Sequence, residues 1–208
     1  MSTAHGEQVR ILEEHAEVGR GLNWWGMIFF IASEALIFAN LIAAFLYLEI
    51  RNPASAWLLP SGEHLNWLYA LVATAILIAS SIPIRVAGAG IAKGNRRNLI
   101  LGLIGTIILG ATFLGLQINE YVTLYFTDHF SIQHGIFGSA FFTLTGFHGL
   151  HVTIGLIFLI VCLVRAIRGD FTEKKHFALE AGEMYWHFVD IVWIFVFSIV
   201  YLLPLLRG

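Results

Sequence analysis

The chain holds one cysteine in 208 residues, Cys162, and that residue sits inside an apolar run. An intrachain disulfide is therefore excluded, and so are zinc and iron–sulfur sites built on several thiolates of this chain. Cys162 reads as a packing residue. Charge is scarce as well. Only 12% of residues are Asp, Glu, Lys or Arg, against about a quarter in soluble domains. Twelve Lys and Arg stand against fourteen Asp and Glu, so no basic surface for nucleic acid is implied. The first twenty residues, MSTAHGEQVRILEEHAEVGR, lack the apolar stretch of a cleaved signal peptide. They read as a solvated extramembrane segment. No internal repeat is evident, which disfavours an inverted-repeat transporter.

What is abundant is apolar sequence. Hydrophobic residues make up 58% of the chain and the mean hydropathy is +0.77. A helix needs about 20 apolar residues to cross the hydrocarbon core. Five runs suffice, at about 24–48, 65–86, 99–116, 135–164 and 184–203. They show no alternation of period two, so helices are expected rather than a barrel. The predicted fold is an all-α membrane bundle of five helices. A polar segment at 1–22 precedes a membrane domain at 23–208.

Basic residues set the orientation. Arg10, Arg20, Arg85, Lys93, Arg96, Arg97, Arg165, Arg168, Lys174 and Lys175 fall on one side of such a bundle, and Arg51 and Arg207 on the other. The positive-inside rule then places the N-terminus inside and the C-terminus outside. Trp24, Trp25, Trp57 and Trp67 flank the spans as an interfacial belt would. The segment NPASAWLLPSGEH, broken by Pro53 and Pro60, is the expected outer loop between the first two helices.

The informative residues are polar ones in apolar runs, where a charged group costs at least about 2.5–3.5 kcal/mol. Glu34 lies ten residues past Trp24, about 15 Å along a helix. His148 and His151 share the fourth run at i, i+3, and His187 and Asp190 share the fifth. Gln117 and Glu120 end the third. Three uses compete for these groups. Imidazoles on facing helices can bind haem iron or copper, as in a bis-His membrane cytochrome. Intramembrane acids can carry protons, although no ladder of acids leads to Glu34. Or each histidine hydrogen-bonds a carboxylate or carbonyl of a neighbouring helix and locks the bundle. Gly102, Gly105, Gly110, Gly138, Gly146, Gly149 and Gly155 offer close helix contact. Phe141, Phe142 and Phe147 are expected to face lipid or a partner.

Four segments carry a resemblance over residues 24–203: WWGMIFFIASEALIFANLIAAF, LGLQINEY, GSAFFTLTGFHGLHVTIGLIFLIVCLVRAIRGDFT and HFALEAGEMYWHFVDIVWIFVF. Together they resemble subunit III of haem–copper terminal oxidases. The longer members have two further N-terminal helices, so this chain looks like the short, five-helix bacterial form. The resemblance implies a non-catalytic subunit in a bacterial cytoplasmic membrane, without metal. Haems and copper would belong to partner subunits I and II, with a small subunit IV as a further partner. Direct packing on subunit I, bound phospholipid and support of proton uptake are implied too. Glu34 falls at the family's carbodiimide-reactive glutamate and His151 at the residue it is expected to meet. Arg165 falls at an inner-side arginine associated with a lipid phosphate, and Arg168 at a further basic position. Glu120, Glu180, His187 and Asp190 fall on motif positions expected to lock helices. Asp170, where relatives can have histidine, would weaken phosphate binding. A quinol oxidase or a nitric oxide reductase system remains an alternative setting.

Overall fold

The computed structural model describes residues 21–62, 65–172 and 175–207. The polar segment expected at 1–22, with Arg10 and Arg20, falls outside the described residues as far as residue 20, and so does Lys174. Among the described residues, five helices are long and apolar enough to cross a membrane. They are α1 (Leu22–Arg51), α2 (Trp67–Ala92), α3 (Arg96–Phe126), α4 (Gly135–Arg168) and α5 (Phe177–Phe197). The last runs on through a π-helical turn, Ser198–Leu202, into a short α6, Leu203–Arg207.

Local chemistry sets several of the ends. Asn66 and Asn95 cap α2 and α3 by accepting from the Tyr69 and Asn98 amides at 3.1 and 3.2 Å. Gly169 closes α4 at φ +86°, a left-handed conformation that glycine adopts without strain. The helices outrun the apolar runs that announce them. α3 continues past Leu116 to Phe126, and α5 begins at Phe177 rather than near Met184. Hydropathy registers the hydrocarbon-facing stretch only. Helical backbone continues through Gln117, Glu120, Glu180 and Glu183 because its own hydrogen bonds are already made.

α2 and α3 form the most extensive pair, and α5 packs on α1, α2 and α4. The most hydrophobic stretch of α5 is 61% buried, that of α1 only 11%, so α5 is the core helix and α1 a flank. Glycine sets the spacing at the centre. A Cβ on Gly102 would lie 2.5 Å from the Pro83 carbonyl oxygen of α2, and one on Gly110 would lie 2.6 Å from the Trp186 ring. Gly155 of α4 faces the same indole, where a Cβ would come to 3.1 Å. Gly149, by contrast, faces open space.

Two expectations about aromatic residues change. Trp57 is buried, with Phe45 and Phe137 at 5.0 and 5.3 Å between ring centroids, and does not join an interfacial belt. The short 3-10 helix Ala54–Trp57 folds the loop back and delivers that ring to the bundle. Phe141 is also fully buried, among Phe130, Phe137 and Tyr201. Only Phe142 and Phe147 keep partial exposure. Burial on a helix follows the neighbour that happens to pack there, and apolar character alone does not select it.

Candidate functional site

Glu34 sits twelve residues into α1, about 18 Å along its axis. His151 Nε2 lies 2.9 Å from Glu34 Oε2, so α1 and α4 are joined at mid-depth. The other ring nitrogen, Nδ1, lies 2.8 Å from the Phe147 carbonyl. A carbonyl only accepts, so Nδ1 carries hydrogen. One further proton is shared between Nε2 and the carboxyl. The pair is therefore either an imidazolium with a carboxylate or an imidazole accepting from a carboxylic acid. Phe38 shields the His151 ring at 4.8 Å, while Glu34 keeps 19% of its side chain exposed.

His148 does not follow the expectation of a hydrogen bond to a neighbouring helix. It is 1% exposed, and neither ring nitrogen has a hydrogen-bond partner among the described residues. Three residues along a helix rotate the side chain by about 60° from its neighbour's direction. That turn carries His148 away from Glu34 and into an aromatic box, with Trp193 at 4.7 Å, Phe113 at 6.0 Å and Phe38 at 6.3 Å. The ring packs as one more aromatic. Among the described residues no three His, Cys, Asp or Glu side chains are placed to hold a metal ion.

The remaining polar groups form separate locks. Glu120 is buried and accepts from Gln117 Nε2 and from the Tyr201 hydroxyl, each at 2.9 Å, which ties α3 to the end of α5. Asp190 accepts from the Ser81 hydroxyl of α2, and His187 Nδ1 lies 3.2 Å from the same hydroxyl. Tyr201 and Ser81 were not singled out in the sequence; a lone hydroxyl in an apolar run gives no sign of which acid it will meet. Glu180 is not buried. It pairs with His176 one turn back at 2.9 Å and keeps 47% side-chain exposure. Since α5 begins at Phe177, Glu180 stands in its first turn, where a negative charge complements the helix dipole.

Arg165 and Arg168 are exposed in the last turn of α4. The Arg165 guanidinium lies 4.9 Å over the Phe171 ring and 3.8 Å from the Asp170 carboxylate. A cleft of about 550 Å³ opens at this end, lined by Arg96, Leu99, Gly169 and Phe171 among others, but by neither arginine of α4. Arg96 reads in the sequence as one more loop charge. In the structure it donates to the Ala166 carbonyl at 3.2 Å and to that of Ile167, satisfying carbonyls that the end of α4 leaves free.

The family model for cytochrome c oxidase subunit III matches residues 7–204. The chain belongs to that family. It is 44% identical over 188 residues to cytochrome c oxidase subunit 3 of Rattus norvegicus, covering 88% of this chain and 70% of the relative. It is 42% identical over 205 residues to that of Equus caballus, covering 96% of this chain and 74% of the relative. Membership makes the chain a multi-pass membrane subunit of a respiratory oxidase complex, associated with other oxidase subunits.

Within this subunit III fold the α1–α4 contact can be measured directly. In a double-mutant cycle of Glu34→Ala and His151→Ala, the expected coupling is about 0.6 kcal/mol and at most about 1.7 kcal/mol. Detergent titration of subunit retention in the intact oxidase reads it. A coupling of zero would remove the pair as a helix lock.

Proposed function

We propose that the chain is the non-catalytic subunit III of a proton-pumping haem–copper oxidase in a bacterial cytoplasmic membrane. It lies with residues 1–22 and the N-terminus inside and the C-terminus outside. It packs directly on subunit I, in a complex completed by subunit II and a small subunit IV. Haems and copper reside in subunits I and II, and this chain carries no redox centre. Its part is to brace subunit I, to hold phospholipid beside Arg165 and Arg168, and to support proton uptake.

The observation that carries this reading is the Glu34–His151 contact of 2.9 Å. The residues that most invite a ligand at mid-membrane engage each other, and His148 is walled in by aromatic rings. The orientation is supported by the bonds from Arg96 to the end of α4, which hold the two most basic loops at one face of the bundle. For lipid, the exposed guanidinium groups of Arg165 and Arg168 suit a phosphate, while Asp170 at 3.8 Å competes for Arg165.

Stripping this subunit from the purified oxidase tests the assignment. The remaining complex is expected to keep its full haem and copper content and its optical bands. Carbodiimide labelling of Glu34 is likewise expected to leave those bands unchanged. Iron or copper travelling with the removed chain would overturn the reading.

A further inference from the structure

Phe38, Phe45 and Glu49 are the residues that α1 buries against the bundle. The opposite side of the helix follows a heptad. Gly26, Ser33, Asn40 and Tyr47 recur every seven residues. Phe29, Leu36, Ala43 and Ile50 each follow three residues later. All eight are exposed. A repeat of 3.5 residues kept along a whole helix is the pattern by which one helix winds along another. Glycine, serine and asparagine in the first row permit close approach of a second backbone, whereas acyl chains gain nothing from them.

Asn40 decides what this face meets. Two residues along a helix turn a side chain by about 200°, so Asn40 points almost directly away from Phe38 and the bundle. It stands about 5 Å from the midpoint of α1, inside a hydrocarbon core about 30 Å thick. Its Nδ2 donates to the Leu36 carbonyl of its own helix at 2.8 Å. One amide hydrogen and the Oδ1 acceptor remain, and among the described residues neither has a partner. Acyl chains offer none, and lipid-facing surface at that depth is dry.

A second copy of the same chain supplies both missing groups at once. Two copies in one membrane share an orientation, so their α1 helices run parallel and a two-fold axis sets each seam residue opposite itself. An amide donates and accepts, so two Asn40 side chains satisfy each other across that axis. The seam carries no Asp, Glu, Lys or Arg, so no charge opposes self-pairing. A single asparagine at such a position also fixes register and a two-stranded state.

We propose that the outer face of α1 is a self-association surface, where α1 of a second copy packs in parallel with Asn40 against Asn40. The contact joins two oxidase complexes through this subunit. It rests on the chain's place in a membrane oxidase and adds which helix joins the copies.

Cysteine substitution in the intact oxidase, oxidised with copper–phenanthroline in its native membrane, tests the seam. Leu36→Cys and Ala43→Cys are expected to give a species of twice the subunit mass. Ile108→Cys, exposed on α3, is expected to give none. The native Cys162 is buried and adds no background. In parallel, Asn40→Leu is expected to lower the association constant of the oxidase, read by sedimentation in mild detergent, about three- to tenfold. Crosslinks to a different oxidase subunit, or loss of the chain from its complex in Asn40→Leu, would give this face to another partner and overturn the proposal. So would the absence of any crosslink at Leu36 and Ala43, or pairing in Asn40→Leu equal to or above wild type. Each of these leaves oxidase membership intact. Absence of the wild-type chain from the purified oxidase would overturn both.

Discussion

Trp186→Ala is expected to destabilise the bundle by about 3–5 kcal/mol, the range for removing a fully buried aromatic ring from a packed interior. Trp186 is fully buried on the core helix α5. Its ring is held between backbone of α3 at Gly110 and of α4 at Gly155, and its indole nitrogen donates to Ser80 Oγ of α2 at 2.8 Å. One side chain thus joins four of the five spanning helices. Truncation opens a void against two glycines that have no side chain to collapse into it. It also removes the donor to Ser80 Oγ, which keeps only its own bond to the Leu77 carbonyl. Unfolding by sodium dodecyl sulfate in mixed micelles, followed by tryptophan fluorescence with Trp186→Phe as the control, measures the loss. The phenylalanine variant keeps most of the volume and isolates the hydrogen bond. A loss below about 1 kcal/mol for Trp186→Ala, less than a typical core truncation, would mean that the ring does not hold these helices together.

Gly102→Val has the next largest expected effect, about 3 kcal/mol, at the top of the usual range for overpacking. The atoms that a Cβ would meet there are the Pro83 carbonyl oxygen at 2.5 Å and the Ala87 amide nitrogen at 2.6 Å. Both are backbone, and neither can rotate away as a side-chain tip would. The α2–α3 pair has to separate, which loosens the broadest helix contact in the fold. Gly149→Val makes the matched comparison, because no atom lies within 4 Å of a Cβ there. Its expected change is small. Equal losses for the two variants in the same detergent titration would show that glycine content, rather than close approach at Gly102, is what matters.

The two glycines also show why sequence and structure divide as they do. In the chain, Gly102 and Gly149 look alike, each within a small-residue series of an apolar run. Only the placement of α2 against α3 tells them apart. The same holds for His148 and His151. Their spacing and depth are visible in TGFHGLH, but one meets Glu34 and the other an aromatic box. That difference comes from where α1, α3 and α5 stand around α4. Glu180, at a position expected to lock helices, instead lies at the surface in the first turn of α5, which starts earlier than its apolar run. Arg96 was one cation among ten on its side, and its bonds to the end of α4 appear only once two loops are brought together.

From the amino-acid order alone came the membrane class, the number of spans, the scarcity of thiols, the mid-depth position of Glu34 and the motifs that mark the family. These follow from hydropathy and depth, which are sums along one helix and need no neighbour. Tertiary structure decided which polar groups are partnered, which glycines are crowded, and which face of α1 is left uncovered around Asn40. Those properties depend on distances of a few ångströms between helices far apart in the chain, and a one-dimensional pattern does not contain such distances.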